Sequence, residues 1–134
     1  MKPRAGALAA DEDAQALVEF AISITLLLFI VMGIIAFARI GFAYLGVEQA
    51  ARAGARAAML GQSDPEIMQA VQQAVPALPA DQLEVTISPE QSQRSRGNPV
   101  EVKVGYQVTI IAPLIGAVVP NPFPVQGDVV MRYE

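Results

Sequence analysis

Few side chains in this sequence could perform nucleophilic, acid–base or metal chemistry. The 134 residues include no cysteine and no histidine, which removes thiolate nucleophiles, the usual zinc sites and the Ser/His/Asp arrangement. The remaining candidates for a polar cleft are four charged residues of the C-terminal half: Glu84, Glu101, Asp128 and Arg132. Because they alternate with apolar residues, strand geometry places them mostly on a solvated face. We therefore expect no enzyme activity, no catalytic or metal site and no cofactor.

The overall charge does not indicate a nucleic-acid partner. The formal net charge is −4, and no basic, aromatic-rich motif of the kind that binds nucleic acid is present. A small-molecule substrate is not indicated either. The function must therefore be inferred from the helices and strands that the sequence predicts.

An apolar run dominates the N-terminal third of the chain. Between Glu19 and Arg39 lie 19 residues without a charge, close to the ~20 helical residues that span about 30 Å of hydrocarbon. A chain of this size is too small to surround such a helix with protein. Residues 20–38 therefore predict a single transmembrane helix, and Phe42 and Tyr44 would lie at headgroup level.

The flanking residues set the expected limits of this helix. Residues 1–14 combine basic and acidic residues without apolar periodicity, which predicts a solvated leader without regular structure. From Gln15 a helical pattern without proline continues to about Leu60, and Gly61 suits a helix C-terminal cap. We therefore expect a leader at 1–14 and a long helix at 15–60.

Small residues recur every four positions in the second half of this helix. They are Gly46, Ala50, Gly54 and Ala58. Such a stripe allows another backbone to approach closely, although an alanine-rich helix can also carry this spacing by chance. Because each glycine costs about 1 kcal/mol of helix propensity, we expect the stripe to pack against another helix.

A short amphipathic helix is predicted after Gly61. Ser63 and Glu66 have the spacing of a capping box, and Pro65 fits the first helical turn. The apolar residues that follow lie on one helical face: Ile67, Val71 and Val75.

Three later segments alternate between apolar and polar residues and predict strands: 83–87, 100–110 and 125–133. A polar loop at 89–99 joins the first two. A segment with four prolines, residues 112–124, forms an irregular connection that could lie over the sheet. The predicted fold is an α+β membrane protein with a long N-terminal transmembrane helix. Its domain, at 61–134, consists of a short amphipathic helix on the apolar face of a three-stranded antiparallel β-meander.

Glu19 is the one acid at the mouth of the apolar run. An ionised carboxylate beside hydrocarbon normally needs a partner, unless it lies in the wet headgroup layer. The residue types alone leave both interpretations open.

The order of these features resembles that of the TadE-like family. The resemblance lies in QALVEFA at residues 15–21, the apolar run, and EQAARAGARAA at residues 48–58. It covers about 45 residues closely, and the three-stranded tail agrees more loosely. Family members are minor pilins or pseudopilins of the bacterial tight-adherence (Flp/Tad) pilus machinery.

The resemblance implies that a prepilin peptidase removes the leader by cutting between Ala14 and Gln15. Glu19 then becomes the fifth residue of the mature chain, followed by Phe20. The family pattern usually has glycine before the cut, where this chain has Ala14. The free α-amine of a neighbouring subunit could neutralise Glu19 and set the axial register of assembly.

The same resemblance implies the location and the partners. The partners would be the lipid bilayer, other pilins or pseudopilins of the machinery, and the prepilin peptidase. The chain would cross the bacterial cytoplasmic membrane once, with its C-terminal domain outside the cytoplasm. Charge counting does not decide this orientation, because basic residues flank the apolar run on both sides. Whether the subunit stays in the membrane or enters a surface pilus is left open.

A second interpretation is a secreted soluble binding module. Ala36, Phe37 and Ala38 resemble a signal-peptidase site after an apolar stretch that Lys2 and Arg4 precede. The run is longer than the usual 7 to 15 apolar residues of a signal peptide, and acids interrupt its leader. We therefore favour the pilin-like interpretation.

Overall fold

The computed structural model describes the backbone of residues 5–134 and the side chains of residues 11–134. The chain divides into two compact units, with the boundary between Ile35 and Ala36. One α-helix, α1 (Ala5–Met59), supplies the described part of the first unit and the first element of the second.

In the first unit, α1 begins earlier than the sequence analysis predicted. The expected start was Gln15, after a leader without regular structure, but the helix already includes residues 5–14. The leader is rich in alanine, which has the highest helix propensity, and extending an existing helix avoids the cost of a new nucleus. The expectation of an irregular leader is therefore wrong for residues 5–14, and residues 1–4 lie outside the described part.

The end of α1 agrees with the prediction. The Gly61 N–H donates to Ala58 O at 3.0 Å and the Gln62 N–H to Ala57 O at 3.2 Å, which is the hydrogen-bond pattern of a Schellman motif. Gly61 has φ +79°, a conformation that glycine adopts without a steric penalty. Its predicted role as the C-terminal cap is confirmed.

The second helix, α2 (Asp64–Ala74), begins at the predicted capping residues. The Glu66 carboxylate accepts hydrogen bonds from the Ser63 hydroxyl at 2.7 Å and from the Ser63 N–H at 2.8 Å. Ile67 and Val71 are fully buried and Val75 nearly so. The amphipathic helix and the face that it buries are thus as predicted.

Three strands form one antiparallel sheet in the order β1 (Glu84–Ser88), β2 (Pro99–Val108) and β3 (Phe123–Arg132). Val104 pairs with Val85 on one side, and Val102 pairs with Val129 on the other. The central strand therefore aligns its valines with apolar residues of both neighbours. The predicted meander, and with it the α+β fold class, is confirmed.

Two helices, and not one, cover the apolar face of this sheet. The core cluster combines buried residues of α1 from Ala43 to Ala58, of α2, and of β2. A Cβ built on Gly54 of α1 would lie 2.6 Å from Val71 Cγ2 of α2 and 3.0 Å from Val102 Cγ1 of β2. The sequence pattern predicted only the short helix on the sheet, because the second half of α1 continues the membrane helix without a break.

The connection between β2 and β3 includes a short helix, α3 (Ile115–Val118). Ile110 and Ala112 of this connection form a small buried cluster with Ala36 of α1, and Ile40 packs against it. The sequence predicted a connection that could lie over the sheet. In the structure, the connection packs against α1.

Candidate membrane segment and assembly site

The apolar run of α1 presents its side chains on every side of the helix. All residues from 20 to 32 are exposed, including Leu26, Leu27, Leu28 and Phe29 on successive positions around the axis. The described part of the chain has one helix that is long and apolar enough to cross a membrane. A stretch of 18 residues in this helix has a mean hydropathy of 2.8 and is 6% buried. A helix that is apolar all round needs an apolar surrounding.

Thr25, one of the two hydroxyl-bearing residues of this run together with Ser23, is hydrogen-bonded within the helix itself. Its Oγ1 donates to Ala21 O at 2.7 Å. An unsatisfied polar group costs several kcal/mol in hydrocarbon, so this bond makes the residue compatible with a bilayer.

The residues of the predicted processing and register site lie on one continuous stretch of α1. Ala14, Gln15, Glu19 and Phe20 are all helical and exposed. Among the described residues, none forms an ion pair with Glu19. The structure therefore places the four residues together at the N-terminal end of the apolar run, and their roles stay predictions.

Aromatic residues mark the other end of the run. Phe37, Phe42 and Tyr44 are exposed on α1 near Arg39, which is exposed as well. Aromatic rings and a basic side chain with an apolar stem are the groups that suit a membrane–water interface.

The small-residue stripe lies in the core of the second unit. Gly46 and Gly54 face this chain's own α2 and its C-terminal cap, with Val75 Cγ2 only 3.0 Å from a Cβ built on Gly46. Ala50 and Ala58 are fully buried. The spacing of the stripe predicted packing against another helix. The helix that approaches it is α2 of the same chain, so its close packing serves this domain.

The four candidate residues for a polar cleft are spread along the sheet. Glu84, Asp128 and Arg132 are exposed, and Glu101 is half-buried with its Oε1 3.3 Å from Lys103 Nζ. Among residues 11–134, no group of three or more acidic residues could hold a metal ion. The structure does not bring the four residues together.

Arg94 is a structural residue that the sequence analysis did not identify. Its side chain is 2% exposed, its Nη2 donates to Asp64 Oδ1 at 2.5 Å, and its Nε donates to Pro89 O at 3.1 Å. These bonds tie the loop between β1 and β2 to the first turn of α2. Nothing in the local sequence distinguishes Arg94 from the exposed Arg96, since both lie in the same polar loop.

Residues 14–56 match the family model described as TadE-like protein. The match spans the predicted cut, Glu19, the apolar run and most of the alanine- and arginine-rich tract. No curated protein and no solved structure matches the chain significantly. The resemblance drawn from the sequence is thereby confirmed, and it supports a pilin-like protein associated with the Tad pilus.

Proposed function

From its TadE-like segment at residues 14–56, we propose that the chain is a pilin-like structural subunit in tight-adherence pilus biogenesis, anchored in the bacterial cytoplasmic membrane by α1. The observation that carries this proposal is the exposure of every side chain from 20 to 32. The same helix, from Ala43 onward, supplies the core of a folded domain. One helix thus provides both an anchor and a structural element.

The anchor has the length that a bilayer requires. Nineteen uncharged residues at a rise of about 1.5 Å extend over roughly 28 Å, against about 30 Å of hydrocarbon. Glu19 and Arg39 bound this segment, and each can reach the headgroup layer.

We place the N-terminus in the cytoplasm and the domain outside it, on the strength of the family resemblance. Protease added to spheroplasts then digests the second unit while the membrane is intact. Protection of that unit until lysis would reverse the orientation. If the unprocessed chain stays in the supernatant without detergent, α1 is not a membrane anchor.

Processing by a prepilin peptidase is the second part of the proposal. The match with the family begins at residue 14, directly at the bond between Ala14 and Gln15. Both residues are exposed but helical, so cleavage requires local opening of α1. The intact mass of the protein recovered from membranes identifies a cut after Ala14.

The same mass measurement separates the secreted-module alternative, which requires a cut after Ala38. Such a cut would remove Ala36, which is buried against Ile110 and Ala112. The apolar run is also longer than the about 7 to 15 residues usual for a signal peptide. Both observations favour the anchored subunit.

The proposed partners are other pilins or pseudopilins of the same machinery. Glu19 lies at the mouth of the apolar run, where burial in a helix bundle would demand a positive partner. The α-amine that cleavage creates at Gln15 of a neighbouring subunit is such a partner. A buried pair of this kind sets register more than it adds stability. We propose a structural role for the chain and no catalytic one.

A further inference from the structure

The connection between β2 and β3 has an apolar outer surface. Its most exposed apolar side chains are Ile111, Leu114 and Val118, at 71%, 67% and 86% exposure. No charged residue occurs between Lys103 and Asp128, although a loop on a water-exposed domain surface is usually polar. Three large apolar side chains on a short, uncharged segment indicate a surface that meets something apolar.

The inner side of this connection is attached at one level of α1. Ile110 and Ala112 are 6% exposed and are buried against Ala36, with Ile40 packed beside them. Ala36 belongs to the uncharged run, and Arg39, the first charge after it, lies about 5 Å further along the helix axis. The connection is therefore held beside the end of the proposed membrane span.

Part of the backbone of the connection is hydrogen-bonded within the chain. The Asn121 side chain forms two hydrogen bonds with the backbone of Ile110. Its Nδ2 donates to Ile110 O at 3.0 Å, and its Oδ1 accepts from the Ile110 N–H at 3.1 Å. The Val119 N–H donates to Ile115 O at 2.9 Å.

Prolines at four positions of this region also remove backbone donors altogether: Pro113, Pro120, Pro122 and Pro124. A water-exposed loop does not need fewer free backbone N–H groups, because water molecules form hydrogen bonds with them. A segment at the edge of hydrocarbon does benefit from fewer free N–H groups, because each unpaired group there costs several kcal/mol.

We propose that residues 109–122 form a second membrane contact, in which Ile111, Leu114 and Val118 insert into the headgroup–acyl boundary of the leaflet where the α1 span ends. The occupant of this apolar surface is the lipid bilayer. The inference rests on the proposed anchor, because only a membrane that ends near Arg39 lies at the level of Ala36. A monotopic insertion of this kind reaches about 5 to 10 Å into the boundary.

The absence of tryptophan from the chain permits a direct test. The full-length variant Val118→Trp is reconstituted in vesicles of phosphatidylethanolamine and phosphatidylglycerol, with or without bromine on the acyl chains. Bromine quenches only indole rings that reach the acyl region. We expect the bromolipid to remove roughly half of the indole emission of this variant and the emission maximum to be blue-shifted, since the ring would lie within ~10 Å of the boundary.

Two matched variants make the outcome specific. Val130→Trp, at an exposed apolar position on β3 (55% exposed), should stay unquenched with a water-like emission maximum. Phe29→Trp, in the middle of the apolar run, should be quenched strongly. Far-UV circular dichroism of each variant checks that the fold is retained.

The results distinguish failure of the inference from failure of the anchor. Quenching at position 29 without quenching at position 118 overturns the loop contact and leaves the anchor standing. No quenching at position 29 overturns the anchor and the inference with it. A blue-shifted but unquenched signal at position 118, which weakens as the protein is diluted in lipid, would assign the surface to a second copy of the chain and would equally overturn the lipid contact.

Discussion

Gly127 of β3 lies directly against the backbone of Glu48 in α1. A Cβ built on Gly127 would be 2.8 Å from Glu48 Cα and 2.9 Å from Glu48 N. Atoms of a helix backbone cannot move aside as the end of a flexible side chain can. This contact sets how closely the sheet approaches α1, and it predicts which glycine substitution the domain tolerates least.

Gly127→Ala should therefore destabilise the second unit by about 2–3 kcal/mol, because overpacking against a rigid backbone adds strain. For a unit of this size, the melting temperature should fall by roughly 10 °C or more. Thermal unfolding of the detergent-solubilised chain, followed by circular dichroism, measures the shift.

Gly41→Ala is the matched control for that substitution. A Cβ at Gly41 has nothing within 4 Å, and replacing a helical glycine by alanine gains about 0.5–1 kcal/mol. The two variants should move the melting temperature in opposite directions. An unchanged melting temperature for Gly127→Ala would contradict the close packing of Gly127 against Glu48 of α1.

Arg94→Ala should destabilise the domain by roughly 1–3 kcal/mol. The substitution removes a hydrogen-bonded pair with Asp64 and the bond to Pro89 O, and bonds to charged groups contribute about 1.5–3 kcal/mol. Asp64 is 40% exposed, so water compensates for part of the loss. Arg96→Ala, on an exposed neighbour in the same loop, should change the urea midpoint little, and equal effects of the two variants would contradict the structural role of Arg94.

Val102→Ala should cost about 1.5–3 kcal/mol in the free energy of unfolding. Val102 is fully buried between α1 and the other elements of the core, and its removal loses apolar burial and leaves a cavity. Val130→Ala makes the same chemical change at an exposed position of the adjacent strand and should have an effect within about 0.5 kcal/mol. Pulse proteolysis in urea compares the two variants, and similar losses would place the core elsewhere.

The capping interaction at α2 predicts a dependence of stability on pH. The hydrogen bonds from the Ser63 hydroxyl and N–H lower the pKa of the Glu66 carboxyl below its ordinary value of 4.5. The ionised form is therefore favoured in the folded state, and its contribution is present above pH 4.5 and is lost as the pH falls through the lowered pKa.

Ser63→Ala should raise the pKa of Glu66 relative to the parent chain, because the largest contribution to the shift comes from the Ser63 hydroxyl. NMR titration of the Glu66 side-chain carbon measures the change. Glu66→Gln should narrow the difference in stability between neutral and acidic pH. An unchanged Glu66 titration in Ser63→Ala would remove the hydroxyl as its cause.

Glu19→Ala should leave membrane insertion intact and abolish co-assembly with other pilin-like subunits. The change removes the carboxylate that would pair with a neighbour's α-amine, while the apolar run is unaffected. Glu12→Ala is the control, because Glu12 is equally exposed on α1 but lies before the predicted cut. Co-purification from membranes measures assembly, and normal recovery of partners with Glu19→Ala would rule out the register role.

Much of the fold follows from local patterns in the sequence. The apolar run, the Gly61 cap, the Ser63–Glu66 spacing and the period-two valines of β2 each specify their element without distant contacts. The sequence did not reveal the helical start at Ala5, because a short acidic leader resembles a solvated tail when the long helix that it extends is not considered. Local composition thus predicted the kinds of element better than their limits.

The sequence by itself determined that a long apolar helix precedes a small α+β domain, because both features depend on spacing along the chain. Only the tertiary structure decided which surfaces the small residues serve. Gly46, Gly54 and Gly127 permit close contacts within the domain, and a glycine pattern does not name the partner that it admits. The burial of Arg94 and the placement of Ile110 beside Ala36 were likewise decided by packing, since both depend on contacts between residues far apart in sequence.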